Sequence, residues 1–238
     1  MAKMGGRRHV KKLAAPKPWP ILRKDYTWTT KAKPGKHSLT RGMALITIVK
    51  ELMNYANTRK EAMMIIKAKE IFVDGKAVRE PKFSVGFMDI VSVPKVKKNY
   101  RVTFTKKGEI SLQEIPVAES GFKLCRIESK TILKKKKVQL NLHDGRNQVV
   151  KKDTYNVGDT VKLELPKQKI VDHFELKKGH NVYVMAGKHA GEIDKVKEII
   201  KGTIVRKPVV VLENGVRTLK DYVFVIGKEK PAITVSSQ

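Results

Sequence analysis

Three features of this 238-residue chain predict an α+β fold in which β structure predominates. Period-two alternation of apolar residues runs through most of the sequence beyond Pro94, a shorter stretch from Met43 carries helical spacing, and the opening segment carries neither. Hydrophobic residues make up 41% of the chain, near the ordinary globular share of about 45–50%, so packed cores are within reach. At about 100–200 residues per domain, this length suits two domains or three small ones. We read residues 1–41 as a basic extension, 42–94 as a small helix-helix-hairpin domain, 95–172 as a central all-β domain, and 173–238 as a second small β-barrel-like domain with a C-terminal tail.

The extension holds twelve basic residues against one acid, Asp25, and four prolines. Such a segment repels itself and resists helix formation, so it is expected to stay extended unless a polyanion neutralises it. Trp19, Tyr26 and Trp28 are interleaved with the cations, and a merely solubilising tail has little use for large aromatics. Aromatic faces stack on bases, which makes Trp19 and Trp28, together with Arg7, Arg8, His9, Lys11, Lys12, Lys17, Arg23, Lys24, Lys36, His37 and Arg41, candidate RNA contacts.

Leu45, Ile48, Val49, Leu52 and Ala56 fall on one helical face, predicting a first helix with a buried stripe. Thr58-Arg59-Lys60-Glu61 fits a capping box and opens a second helix with Ala62, Ile65 and Ile66 inward. Ile71 to Val73, the turn dipeptide Asp74-Gly75, and Lys76 to Val78 then predict a hairpin packed on the helix pair. Arg59 and Lys60 at the helix start, with Lys76 and Arg79 on the hairpin, are expected to face phosphates. Beyond Pro94, Tyr100, Val102 and Phe104 alternate with polar residues, as do Val138, Leu140 and Leu142 before Asp144-Gly145, and Val161, Leu163 and Leu165. A third stretch repeats the style, from Val182 through Gly187 and Gly191 to an Asn214-Gly215 turn and Val223 to Ile226. Lys123 to Lys137 reads as a basic strand edge or loop, which adds Lys134, Lys135 and Lys136 to the candidate contacts; Arg146 and Lys188 complete them.

The surplus of 51 Lys+Arg over 23 Asp+Glu, a formal charge of +28, destabilises a compact chain unless a partner neutralises it. No nucleotide-binding glycine loop, zinc-protease helix or serine-hydrolase elbow occurs in the sequence. Gly187-Lys188-His189-Ala190-Gly191 looks superficially like a phosphate loop, but no Ser or Thr follows, and a turn between strands is the better reading. The single cysteine, Cys125, rules out an internal disulfide framework and a cysteine-rich zinc site. The six histidines show no metal-ligand spacing, so no metal, cofactor or small-molecule substrate is implied. With no secretory signal, no apolar run of about 20 residues and no catalytic motif, a soluble, cytoplasmic, non-enzymatic protein is expected.

From Leu45 to Val93 the helix, capped helix and hairpin resemble the small RNA-binding domain first known from bacterial small-subunit ribosomal protein four: Thr58-Arg59 opens the second helix, Ile66 closes its core side, and Ile71, Val73, Asp74-Gly75, Val78, Gly86, Asp89 and Val93 stand where that domain repeats small or apolar residues. Where that domain usually has Gly at the end of the second helix, this chain has Lys69, and a left-handed conformation there costs on the order of 1 kcal/mol. Lys178 to Val196 is similar to a KOW element, with Gly191 at its characteristic glycine. The order of Gly5 to Pro16, Gly35 to Leu39, Gly86 to Asp89 and Leu142 to Asn147 resembles the archaeal and eukaryotic small-subunit ribosomal protein four-e family over essentially the whole chain. That resemblance implies a structural constituent of the small ribosomal subunit, in contact with rRNA and neighbouring ribosomal proteins. The rivals are an accessory to an RNA-modifying enzyme, for which residues 95–238 offer no catalytic motif, and a free KOW-type transcription factor, which the basic extension disfavours.

Overall fold

The computed structural model describes residues 9–134, 137–151 and 153–234, so Arg7, Arg8, Lys135 and Lys136 lie outside the described residues. The fold is α+β with strands predominating, as the alternation predicts. In the extension, β1 (Val10–Lys11) pairs antiparallel with β2 (Trp28–Thr29). The segment does not stand clear of the protein. Trp19 is only 1% exposed, and its indole Nε1–H donates to the carbonyls of Leu39 at 3.1 Å and Gly42 at 3.0 Å. Four prolines straighten the chain without preventing burial of an indole whose apolar area outweighs the cost of ordering it. Burial removes Trp19 from the candidate base-stacking residues.

After β3 (Gly42–Ala44), α1 (Leu45–Thr47) runs into one wider turn over Ile48–Leu52, closed by Met53 N–H donating 2.9 Å to the Ile48 carbonyl five residues back. Asn54, at φ 52°, ends the turn, so Ala56 is buried from a loop and not from the helical stripe expected for it. The next helix, α2 (Arg59–Lys67), opens with the predicted capping box: Glu61 N–H donates to Thr58 Oγ1 at 3.3 Å, and Thr58 N–H to Glu61 Oε2 at 3.2 Å. Ala62 and Ile66 are fully buried and Ile65 partly. Lys69 does occupy the left-handed region, at φ 61°.

Asp74 and Gly75, both at positive φ, join β4 (Phe72–Val73) to β5 (Lys76–Ala77). Then come β6 (Ser84–Gly86), which pairs with β3, and β7 (Ile90–Val93), β8 (Lys98–Phe104) and β9 (Ile110–Ile115). The sheet order is β5-β4-β7-β8-β9, so strand pairing continues across the boundary drawn at Pro94. A single turn, α3 (Val117–Ser120), leads to the central sheet of β10 (Phe122–Ile132), β11 (Val138–Leu142), β12 (Asn147–Val150), β13 (Thr160–Glu164) and β14 (Ile170–Phe174), ordered β12-β11-β10-β13-β14. The last sheet has β15 (Asn181–Val184), β16 (Ile193–Ile200), β17 (Val209–Leu212), β18 (Arg217–Leu219) and β19 (Val223–Gly227), ordered β18-β17-β16-β15-β19.

These two sheets share one device. The first half of β10 pairs with β13 and its second half with β11, with a register shift between Ile127 and Ser129; β16 passes from β15 to β17 with a shift between Val196 and Glu198. An irregularity in a long strand bends it, so each sheet coils toward a barrel.

The modules meet around Phe87. Its ring lies 5.2 Å from Phe104, 5.4 Å from Tyr183 and 5.1 Å from Phe224, which come from three different strands in two other sheets or sheet edges. Tyr183 Oη donates 2.6 Å to the Phe104 carbonyl and accepts from Phe104 N–H at 2.9 Å, and burial pushes its hydroxyl up to about 12. One apolar core therefore runs from Ala15 and Trp19 to Ile233, while Cys125, Ile127, Leu140 and their neighbours form a second beneath the central sheet. Gly191 belongs to this junction. At φ +83° it is left-handed, and a Cβ there would lie 2.7 Å from the Thr105 carbonyl carbon, so the close approach is to the neighbouring module as well as within its own turn.

Candidate nucleic-acid interface

The charged residues divide into those facing inward and those facing outward. Lys123, read from the sequence as part of a basic edge, is 0% exposed. Residues Lys123 to Ile127 of β10 are buried on both faces, because Cys125 and Ile127 enter the core beneath the central sheet while Leu124 enters the main core and Arg126 donates to the carbonyls of Lys220 and Asp221, so alternation fails there. Its ammonium donates to Asp89 Oδ1 at 2.5 Å, Asp144 Oδ2 at 2.9 Å and Asp74 Oδ2 at 3.3 Å. Lys36 reaches Asp74 and, at 2.8 Å, Asp89. Arg146 holds Asp74 at 2.7 Å and Asp144 at 3.3 Å, and His37 Nε2 lies 2.9 Å from Asp89 Oδ2. Backbone N–H groups of Gly86 and Ile90 complete Asp89 and Asp74 at 3.0 and 3.1 Å. The ring of His37 reaches this place because Gly86 has no side chain: a Cβ would sit 2.6 Å from His37 Cγ.

Three carboxylates thus face three cations drawn from the extension and the central sheet. Burial alone would raise the Asp89 carboxyl, but His37, Lys123 and Lys36 hold it well below the usual range. Burial likewise opposes charge on Lys123, yet Asp74 and Asp89 keep its pKa well above that of a free lysine. Asp144 is lowered against burial mainly by Lys123. Burial, with Lys123 nearby, pulls His143 down to about 3; its Nδ1 accepts from Arg126 N–H at 3.2 Å, which leaves Nε2–H to donate to the Phe87 carbonyl at 3.2 Å. Burial also raises the Cys125 thiol, so it is no nucleophile.

Of the candidate contacts, then, Lys36, His37 and Arg146 are committed to internal carboxylates. Lys12 is buried beside Asp25 at 3.3 Å, Arg23 donates to the carbonyls of Ala15 and Pro16 at 2.8 and 3.1 Å, and Arg41 pairs with Glu128 at 2.9 Å. His9, Lys11, Lys17, Lys24, Trp28, Arg59, Lys60, Lys76, Arg79, Lys134 and Lys188 are exposed. The structure brings Lys11, Trp28 and Arg59 together around grooves between the β1-β2 hairpin and the start of α2, whereas Lys76 and Arg79 stand outside their lining. One of these grooves, of about 560 Å³, is walled by Tyr26, Trp28, Lys12, Lys50, Arg59, Asn57, Glu51 and the threonines 27, 29, 30, 47 and 58. Tyr26 was seen in the sequence only as an interleaved aromatic, and Lys50 not at all; both gain their place from the fold-back of the hairpin onto α1. Asp74, Asp89 and Asp144 had one sequence signal: in a chain with only 23 acids, each sits within three residues of a glycine at a tight turn.

A helix pair and hairpin with exposed cations, joined to coiled five-stranded sheets, define an S4-domain protein, and residues 47–91 match the S4 domain. Residues 4–40 match the RS4NT domain and residues 96–170 match ribosomal family S4e. The chain belongs to the S4e family: it is 41% identical to the small ribosomal subunit protein eS4 of Methanococcus vannielii over 99% of this chain and 100% of that one. It is 42% identical to the eS4 protein of Methanocaldococcus jannaschii over 98% of this chain and 99% of that one. The crystal structure of 30S ribosomal protein S4e from Thermoplasma acidophilum superposes with a TM-score of 0.72 at 30% identity, covering 79% of this chain and 96% of that one.

Proposed function

We propose that the chain is a structural, non-enzymatic constituent of the small ribosomal subunit, held there by rRNA and by neighbouring ribosomal proteins in the cytoplasm. One observation carries this reading. The buried cluster pairs Asp74, Asp89 and Asp144 with Lys36, Lys123 and Arg146, three against three, so this cluster consumes none of the net +28 and leaves it to the rest of the chain. A polyanion that takes up those cations releases counterions, and rRNA is the polyanion that the family supplies. In this reading residues 1–41 bind rRNA, the described part from His9 onward while docked on the S4-type domain, and the exposed cations of the extension, α2, the β4-β5 hairpin and the Lys188 turn meet phosphates.

The test is binding of the full chain to small-subunit rRNA across a salt series. A log–log slope of several units, with tighter binding to rRNA than to an unrelated RNA of equal length, supports the reading. A slope near zero removes it, since each phosphate contact contributes about 0.7–0.9.

A further inference from the structure

Of fifteen Trp, Tyr and Phe residues, two reach the exposed class among the described residues: Tyr26 at 64% and Trp28 at 57%. Both stand on the same hairpin segment and open into the same groove. Cations occupy their ring faces. Lys11 Nζ lies 5.8 Å from the Trp28 ring, and Lys12 and Lys50 lie 5.2 and 5.6 Å from the Tyr26 ring. His9 meets the Trp28 edge at 5.9 Å.

From this arrangement, and resting on the polyanion reading above, we infer that the Tyr26–Trp28 groove takes an unpaired RNA nucleotide, its base on an aromatic face and its phosphates on Lys11, Lys50 and Arg59. A base arriving at a ring displaces the ammonium lying over it and brings the phosphate that the ammonium then meets. Lys12, buried and paired with Asp25, stays in place; Lys11 is exposed and free to swing. The groove wall is rich in neutral polar groups, five threonines and Asn57, which suit base edges and ribose hydroxyls better than a bare row of phosphates. Its volume of about 560 Å³ lies within the roughly 300–1,000 Å³ of small-molecule pockets. A duplex offers no base face to an aromatic ring, and its A-form major groove is too narrow for these side chains, so the occupant is unpaired.

Trp28 is its own reporter, because the other tryptophan, Trp19, is 1% exposed and its emission reports whether the fold is intact. The full chain is titrated with a short oligouridylate and with an RNA duplex of equal length at low salt. Expected are quenching of the exposed tryptophan by the oligouridylate, duplex binding without quenching, and single-strand binding weakened about 5- to 150-fold in Trp28→Ala, the range of one lost base–aromatic stack. Duplex affinity should not change, and Trp28→Phe should retain single-strand affinity while losing the signal. If both RNAs bind and Trp28 emission does not move, if the duplex quenches as strongly as the single strand, or if Trp28→Ala binds oligouridylate like the parent, the nucleotide assignment falls and the polyanion reading survives. If neither RNA binds, both fall together.

Discussion

Removing the Lys123 ammonium by Lys123→Met should destabilise the protein by about 3–5 kcal/mol, the cost of breaking a buried ion pair from one side. The structure shows where the loss falls. Asp89 keeps Lys36, His37 and the Gly86 N–H, and Asp74 keeps Lys36, Arg146 and the Ile90 N–H. Asp144 keeps Arg146 Nε at 3.3 Å, the Arg146 N–H at 3.2 Å and the Cys125 thiol at 3.6 Å, so it becomes the least compensated of the three carboxylates. The pH dependence follows from the signs. In the parent, Asp89 and Asp144 have folded pKa values below their unfolded ones, so their contribution is complete above about pH 4 and fades as pH falls further. Lys123 is raised, so its contribution holds up to its unfolded pKa near 10.4 and fades above it. In Lys123→Met the Asp144 carboxyl should rise relative to the parent, because burial still opposes its charge and the cation that lowers it most is gone. The difference between parent and variant should therefore be largest near pH 7 and shrink toward pH 4, as Asp144 takes up a proton. Urea unfolding at a series of pH values measures this, and Lys123→Met with Asp144→Asn, which restores two cations against two carboxylates, should recover a large part of the loss. A single variant with the parental urea midpoint, or a double variant no better than the single, would refute the account.

Gly191→Val should cost about 1–3 kcal/mol from its left-handed backbone, and more because its side chain also meets the Thr105–Lys106 backbone; an unchanged thermal midpoint counts against both causes. Trp19→Ala should lose about 3–5 kcal/mol and speed amide exchange from Ala15 to Gly42, since the indole anchors the extension. Thr58→Ala should lose about 0.5–2 kcal/mol, with faster exchange in the first turn of α2. Arg59→Ala should flatten the salt slope of rRNA binding by about 0.7–0.9, and an unchanged slope places the contact elsewhere.

Local signals proved legible wherever neighbours in sequence are neighbours in space. Thr58 and Glu61 announced α2, and Asp74-Gly75, Asp144-Gly145 and Asn214-Gly215 all lie between paired strands. Lys69 takes the strained conformation that its position demands. What the sequence concealed is long-range. Lys123 looks like any surface lysine until Asp74, Asp89 and Asp144 converge on it, and Trp19 looks like a base-stacking residue until Leu39 and Gly42 supply carbonyls for its indole N–H. The helical stripe overran its end at Ala56 because a buried loop residue and a buried helical residue leave the same mark on a hydrophobic pattern.

The buried charge cluster also imposes a schedule. Lys36 and His37 leave the ribosome early during synthesis, and their partners Asp74 and Asp89 follow, but Lys123, Asp144 and Arg146 come last. At roughly 5–20 residues per second, Arg146 emerges about 5–20 s after Lys36. Between the emergence of Asp89 and that of Lys123, about 2–7 s at the same rate, the newborn chain holds two aspartates in a half-built pocket with Lys36 as their main cation, and the basic extension is tethered without being locked. Closure waits for the central strands, so the order of translation, and not only the final geometry, decides when Lys36 and His37 pass from the surface to the interior.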